Sequence, residues 1–267
     1  MLSNWCKENK MKIHVGKTKA MLFRTRYQKC CRELHINING QIIENVNQFK
    51  YLGLVINQSL SFEEHYEKTC RNMTNRLHLL KRYKKYFSEK WRLIFATSLI
   101  LSLLEYCLPV WGKLNATKSE RLNKIIIRTA NSVVLNNAKS TKTCEERYEV
   151  LEKLNWLTVE ERLIVYSLNF VKKNILCETS SLKDCFPSFQ QKSSSQDSEE
   201  QVCLRNEKDF IVPRMRTEFG KSTFYYRTIQ MWNQLPAEVK EIQIEEGFDY
   251  RLRQHILKDR TNIYQYF

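Results

Sequence analysis

From residue 62 onward, apolar side chains recur at helical spacing, and this change of period limits the fold more than any other feature of the chain. Phe62, Tyr66, Cys70, Met73, Leu77, Leu80 and Phe87 fall on one stripe, which predicts a long amphipathic helix. Lys68, Arg71, Asn75, His78, Arg82 and Lys85 lie roughly opposite, so a core face is paired with a basic one. Ser61-x-x-Glu64 reads as the capping box that starts this helix, with Glu63, Glu64 and Glu67 well placed for the helix dipole. The most apolar stretch, Leu93 to Leu104, ends at Glu105. It is shorter than the ~20 residues that span a bilayer, and a helix over 89–107 that is apolar nearly all round belongs inside a bundle. Further helices are expected at 118–135, 143–154, 158–176 and 246–259. Phe224, Thr228, Met231, Trp232 and Leu235 form another stripe, stopped by Pro236.

Ahead of residue 61 the pattern differs. Residues 2–12 read as the end of a helix and 17–23 as a strand. His35 to Ile43 alternates around Asn39-Gly40, the dipeptide that suits a two-residue hairpin turn with both φ angles positive. Phe49 to Ile56 reads as a further strand completing a small antiparallel sheet. Only 6 Gly and 4 Pro in 267 residues argue against a glycine-rich nucleotide-binding sheet or a turn-rich β-sandwich. The expected class is therefore α+β and mainly helical. Residues 1–60 hold the strands and 61–187 the helices. The polar stretch 188–201, with no aliphatic residue, is the linker, and 202–267 form a C-terminal helical module.

Charge is divided unevenly along this plan. Residues 1–135 carry 24 Lys+Arg against 9 acidic residues, whereas 136–267 carry 20 of each, so the whole net charge of +15 belongs to the first half. Such an excess suits a polyanionic partner. The run Lys81-Arg82-Tyr83-Lys84-Lys85-Tyr86 extends the basic face, and together Lys68, Arg71, Lys81, Arg82 and Lys85 could neutralise phosphates along a duplex. Tyr83 and Tyr86 either stand outward with them or pack inward.

Catalytic chemistry is harder to find. The first aspartate is Asp184, and there are five in all. The nine cysteines form no C-x-x-C pair and have no accompanying His-x-His spacing, so no metal site is expected. With no secretory apolar segment after Met1, reduced thiols and a nuclear or cytoplasmic, non-secreted location are expected. The five histidines lack a nucleophile partner and are expected on the surface or on helix faces. No glutamate pair stands out as an acid/base couple. Gly16-Lys17-Thr18 ends like a phosphate-binding loop, but Met11 stands where the earlier glycine is required, and the order is helix–loop–strand.

Several short motifs recur together in one order. Lys12 to Phe23 is followed by Phe49-Lys50-Tyr51-Leu52-Gly53, then by Leu60 and His65. Later come Leu104-Glu105-Tyr106, Val110-Trp111-Gly112, Arg216, Phe219-Gly220, Phe224 and Trp232-Asn233-x-Leu235-Pro236. Over most of its length the chain thus resembles the reverse transcriptase of non-LTR (LINE-type) retrotransposons. Trp5, Lys17, Thr18, Met21, Phe23, Lys50, Tyr51, Leu52, Gly53, Leu60 and His65 match that family's pattern. Phe62 replaces its usual Trp, and His14 and Val15 its usual Asn and Pro.

The resemblance implies roles residue by residue. Lys17 falls at the motif D lysine, thought to protonate the pyrophosphate leaving group in a complete polymerase. Phe49, Lys50, Tyr51, Leu52 and Gly53 fall at motif E, the primer grip. Residues 1–60 become the end of a palm, and the helices after 61 the thumb that clasps an RNA–DNA or DNA duplex. The family's Mg²⁺ is held by aspartates that precede this region. The chain therefore looks like the back third of a polymerase, with no catalytic residue and no cofactor of its own. It is expected to extend no primer alone, and a missing N-terminal polymerase portion would be a partner. No membrane is expected among the partners. The alternative is a host-reused helical nucleic-acid-binding or scaffold protein.

Overall fold

A computed structural model describes residues 2–24, 34–38, 40–134, 144–177, 182, 186, 189, 208–242, 245–258 and 260. The protein is mostly helical with a few small sheets. It divides into two compact units, residues 1–71 and 72–267, and the boundary falls within the long helix.

In the first unit a short helix α1 (Leu2–Glu8) leads to a 3₁₀ turn, Val15–Lys17, and to β1 (Lys19–Ala20). The strand expected over 17–23 is thus only two residues long, and Lys17 lies in the turn before it. β2 (Asn37–Ile38) and β3 (Gln41–Ile42) pair antiparallel, Asn37 opposite Ile42, with Gly40 at φ +83°. This is the hairpin that Asn39-Gly40 predicts, although Asn39 itself lies outside the described residues. β4 (Glu44–Asn45) pairs with β1 in parallel.

The segment read as one strand over 49–56 is instead a second hairpin. β5 (Gln48–Tyr51) turns back into β6 (Leu54–Asn57), Tyr51 opposite Leu54. The turn residues Leu52 and Gly53 have φ of +46° and +93°, the signs of a type I′ turn. In place of one antiparallel sheet the described residues hold three separate two-stranded pairs, one of them parallel.

Helix α2 spans Glu63–Tyr83. Its start differs from the expected capping box. Ser61 lies two residues ahead of the first helical residue, and Phe62, at φ +52°, intervenes. Asn57 organises the entry instead: its Nδ2 donates to Ser61 Oγ at 2.7 Å and to a Glu64 carboxylate oxygen at 3.1 Å. The stripe behaves as its period predicts. Tyr66 and Cys70 are buried in the first unit, and Met73, Leu77 and Leu80 in the second.

The expected helix over 89–107 is α3 (Glu89–Phe95), a π-helical segment Ala96–Leu101, and α4 (Ser102–Glu105) in succession. A π turn leaves carbonyls without their usual amides. Side chains add bonds to carbonyls in and beside this segment: Thr97 Oγ1 donates to Leu93 O, Ser102 Oγ to Ser98 O, and Arg76 Nη1 from α2 to Leu99 O. Ala96, Ile100, Leu101 and Leu104 are buried, but Trp91, Ile94 and Leu99 are exposed. An all-round apolar sequence does not mean all-round burial here. The widened turn changes which positions face inward.

Beyond it, α5 (Leu108–Trp111) seats the buried Trp111, whose Nε1 donates to Tyr106 O at 2.8 Å. A Cβ on Gly112 would lie 2.5 Å from Leu108 O, so the close approach at this turn requires glycine. α6 (Ala116–Val133) is capped by Asn115, and α7 (Cys144–Lys153) precedes α8 (Val159–Asn174). The capping box that Ser61 does not make is made at α8. Thr158 N donates to Glu161 Oε2 at 2.7 Å, and Glu161 N to Thr158 Oγ1 at 3.3 Å.

α9 (Glu218–Ser222), α10 (Phe224–Asn233), α11 (Ala237–Lys240) and α12 (Glu245–Lys258) complete the second unit. Ile164, Val165, Leu168 and Val171 of α8 share one core with Phe210, Ile229, Trp232, Phe248 and Leu252. A module boundary at 202 therefore falls inside one packed unit. Of the proposed linker only Phe189 is described. Its ring meets Phe210 at 5.3 Å and Tyr225 at 5.0 Å, so Phe189 itself belongs to the packed core and not to a linker. The Trp-Asn-x-Leu-Pro segment has a structural account. Trp232 is buried and donates to Lys208 O at 3.0 Å. Asn233 holds both backbone groups of Phe210 at 2.9 Å, and Pro236 precedes α11.

Candidate nucleic-acid interface

In the first unit Lys17 is exposed at the end of its 3₁₀ turn, where its amide donates to His14 O at 3.0 Å. Phe49 is half-buried on β5, while Lys50, Tyr51, Leu52 and Gly53 are exposed at the hairpin tip. Leu52 is 75% exposed in a left-handed conformation that a leucine side chain disfavours. Leu52→Asn is expected to stabilise the hairpin by about 1 kcal/mol, because asparagine tolerates that region. A urea midpoint equal to or below that of wild type would remove strain from the account of this turn.

The hairpin is tied to α2 by a histidine. Val55 N donates to His65 Nδ1 at 3.4 Å, and His65 is buried rather than on the surface. Burial pushes its imidazole below the usual value, and the charge of Lys68 adds to this. The bond needs the neutral ring, which agrees with that direction. Lys68 and Arg71 on the same helix are exposed.

In the second unit Lys81, Arg82 and Lys85 are exposed. Lys81 and Arg82 belong to α2, but the helix ends at Tyr83, so Lys85 lies in the following turn and not on the helix face. Arg82 lies over the Tyr83 ring, 5.7 Å from its centroid. Tyr83 and Tyr86 stand outward, Tyr86 84% exposed, which settles the alternative that the sequence leaves open.

Arg92 determines the position of this turn. Its guanidinium is buried. Nη1 donates to Phe87 O at 2.5 Å and to Lys84 O at 3.4 Å, and Nε donates to Val133 O at 2.6 Å. One side chain thereby fastens the α2–α3 turn to the end of α6. Sequence reasoning passed over it, although an arginine directly ahead of a long apolar run is a signal of a buried, hydrogen-bonded group. It also passed over Arg128, an exposed residue on α6.

Burial pushes the Lys81 ammonium below its usual value, and the charges of Arg128 and Lys84 push the same way. Among the described residues no three His, Cys, Asp or Glu side chains are grouped so as to hold a metal ion. No helix among them is long and apolar enough to cross a membrane. Exposed cations thus stand in each unit, Lys68 and Arg71 in the first and Lys81, Arg82 and Lys85 in the second, where solvent and anions can reach them. Compared with protein-family models, curated proteins and solved structures, the chain matches none.

Proposed function

We propose that this chain is the C-terminal portion of a non-LTR retrotransposon RNA-directed DNA polymerase, and that it holds an RNA–DNA or DNA duplex without catalysing its extension. In this reading the two hairpins belong to the end of a palm, with Phe49 to Gly53 as primer grip. The helices from α2 onward form a thumb, and Lys17 is the proton donor of a complete enzyme. A nuclear or cytoplasmic location goes with it.

One observation carries the reading. Along α2 and the turn after it, Lys68, Arg71, Lys81, Arg82 and Lys85 are all exposed, while the apolar stripe of the same helix is buried. Cations that are not consumed by the core remain available to phosphates. Contacts to about 4–6 phosphates give a log–log dependence of affinity on salt with a slope on the order of −4 to −5. Binding of a labelled RNA–DNA duplex, measured between low and moderate KCl, should follow that slope. The variant with Lys68, Arg71, Arg82 and Lys85 all changed to Glu should lose at least 100-fold in affinity with little sequence preference (about 1 kcal/mol or more per site would suffice). A flat salt dependence, or a variant that binds like wild type, would refute the nucleic-acid reading and favour the scaffold alternative.

A further inference from the structure

We infer that Tyr86 and Trp91, on the turn between α2 and α3, form a stacking site for the unpaired nucleotides of a single strand. Arg82, Lys85 and Lys90 are placed to meet the phosphates of that strand. This deepens the proposed function and rests on its nucleic-acid reading, but it names a further ligand and two residues that carry no charge.

Hydrogen bonds around Arg92 build the site. Its Nη1 donates to Phe87 O at 2.5 Å and to Lys84 O at 3.4 Å, so residues 84–87 curl about one buried guanidinium. Tyr86 N donates to Tyr83 O at 2.9 Å and closes the end of α2, while Arg92 N donates to Ser88 O at 3.0 Å and opens α3. The Phe87 ring packs on Phe95 of α3, with centroids 6.3 Å apart. Tyr86 is thus next in sequence to a residue bonded by Arg92, and Trp91 is next to Arg92 itself. Both lie on one short, fastened loop. Phe87 gives its ring to the protein, but Tyr86 and Trp91 are 84% and 62% exposed. Among the described residues neither of their rings meets another aromatic ring.

Tryptophan is highly buried on average, and two large rings left in water a few residues apart mark a contact surface. Charge identifies what it contacts. Residues 81–92 hold six Lys and Arg against one carboxylate, Glu89. Arg92 is used inside the fold, whereas Lys81, Arg82, Lys85 and Lys90 are exposed. A polyanion with flat apolar groups between its charges fits such a surface, and a nucleic-acid strand is that polymer. Within a duplex each base face is covered by its neighbours, so unpaired bases are the ones that offer a face to Tyr86 and Trp91. Aromatic rings in a positively charged setting hold single strands in this way, with little sequence preference. Arg82 over the Tyr83 ring, 5.7 Å from its centroid, adds a flat cation to the same turn. Because Arg92 fixes the backbone beforehand, binding a strand costs the turn little ordering.

The test uses the full chain and two labelled probes, unstructured oligo-dT and a blunt RNA–DNA duplex. Tyr86→Leu and Trp91→Leu keep an apolar side chain and the charge of the surface but remove the ring. Each should bind oligo-dT roughly 10-fold more weakly at an unchanged salt slope, and should bind the duplex like wild type. Tyr86→Phe, which keeps the ring, should match wild type on both probes. So should Tyr250→Leu, which removes an exposed tyrosine on α12. All these positions are exposed, and circular dichroism melting checks that each variant is folded. Leu variants that match wild type on oligo-dT would leave the rings to a protein partner and overturn the stacking site. Leu variants that lose both probes equally would overturn it too, since the rings would then not select unpaired bases. If wild type binds the duplex but not oligo-dT, this inference fails and the proposed function stands. Oligo-dT binding with the expected pattern, but no duplex binding, keeps the stacking site and refutes the duplex reading. If wild type binds neither probe, both fail.

Discussion

Replacing Arg162 by Met lowers the unfolding free energy of the second unit by about 3 kcal/mol, near the lower end of the range for a broken buried ion pair. Arg162 is buried on α8, pairs with Glu105 at the end of α4, and donates from Nε to Leu157 O at 3.0 Å. Removing it strands the Glu105 carboxylate beside Tyr166, which also hydrogen-bonds it. Glu105 keeps part of its side chain in water, and this holds the cost below the upper end of the range. Changing Glu105 to Leu in the Arg162→Met background should recover most of the loss, since an apolar pair of similar volume tolerates burial.

Tyr166 supplies an independent check by pH. Burial, then the charge and hydrogen bond of Glu105, push its phenol up to about 12. Between pH 10 and 12 the unfolded chain releases this proton and the folded chain keeps it. Stability is therefore complete below pH 10 and falls as pH rises through that window, by up to about 2 kcal/mol. Tyr166→Phe should remove that part of the slope. Urea midpoints at pH 8, 10 and 11.5 measure both effects, and an Arg162→Met protein as stable as wild type would show that the pair contributes nothing.

The second large effect concerns Trp232. Its ring is buried, 5.8 Å from Phe210 and 5.9 Å from Phe248, and its indole bonds Lys208 O. Trp232→Ala should cost about 3–5 kcal/mol through lost burial and a cavity that aromatic neighbours fill poorly. The core around it draws on α8 before residues 190–207 and on α10 and α12 after them. Limited proteolysis is expected to cut first in the polar 190–201 stretch. In wild type the two pieces should then elute together and separate only in denaturant. In Trp232→Ala they should separate under native conditions. Wild-type pieces that part at once would show that the chain connection, and not the shared core, holds this unit together.

How much of this was readable beforehand depends on what each element announces. α6, α8, α10 and α12 each carry a clear 3.6-residue stripe, and their spans agree with the sequence to within a few residues. Asn39-Gly40 advertises its hairpin through residue types that accept positive φ. Leu52 does not, since leucine is a poor turn residue, and so the β5–β6 hairpin passed for one strand. The capping box at Ser61 had the right letters in a place where Asn57 competes for both side chains. Lys68, Arg71 and Arg82 were legible as exposed cations because their spacing opposes an apolar stripe, and Lys81 and Lys85 because they belong to the basic run at its end. Arg128 was not, because its charge acts on Lys81 from some forty-seven positions away in the chain. Periodicity is silent on such long-range effects.

The π segment at Ala96–Leu101 bears on how this chain tolerates changes in length. A π turn is an α-helix with one residue more than its hydrogen-bond ladder needs. Deleting a single residue there would restore an ordinary helix and leave Arg92 on one side, and Leu104 and Glu105 on the other, in the places they now occupy. The same deletion at Trp91 or Leu103 would swing every later side chain by about 100° and carry Glu105 away from Arg162. Within this stretch, relatives one residue shorter should therefore carry their gap between positions 96 and 101, and the hydroxyls of Thr97 and Ser102 should be the first to lose their carbonyl partners.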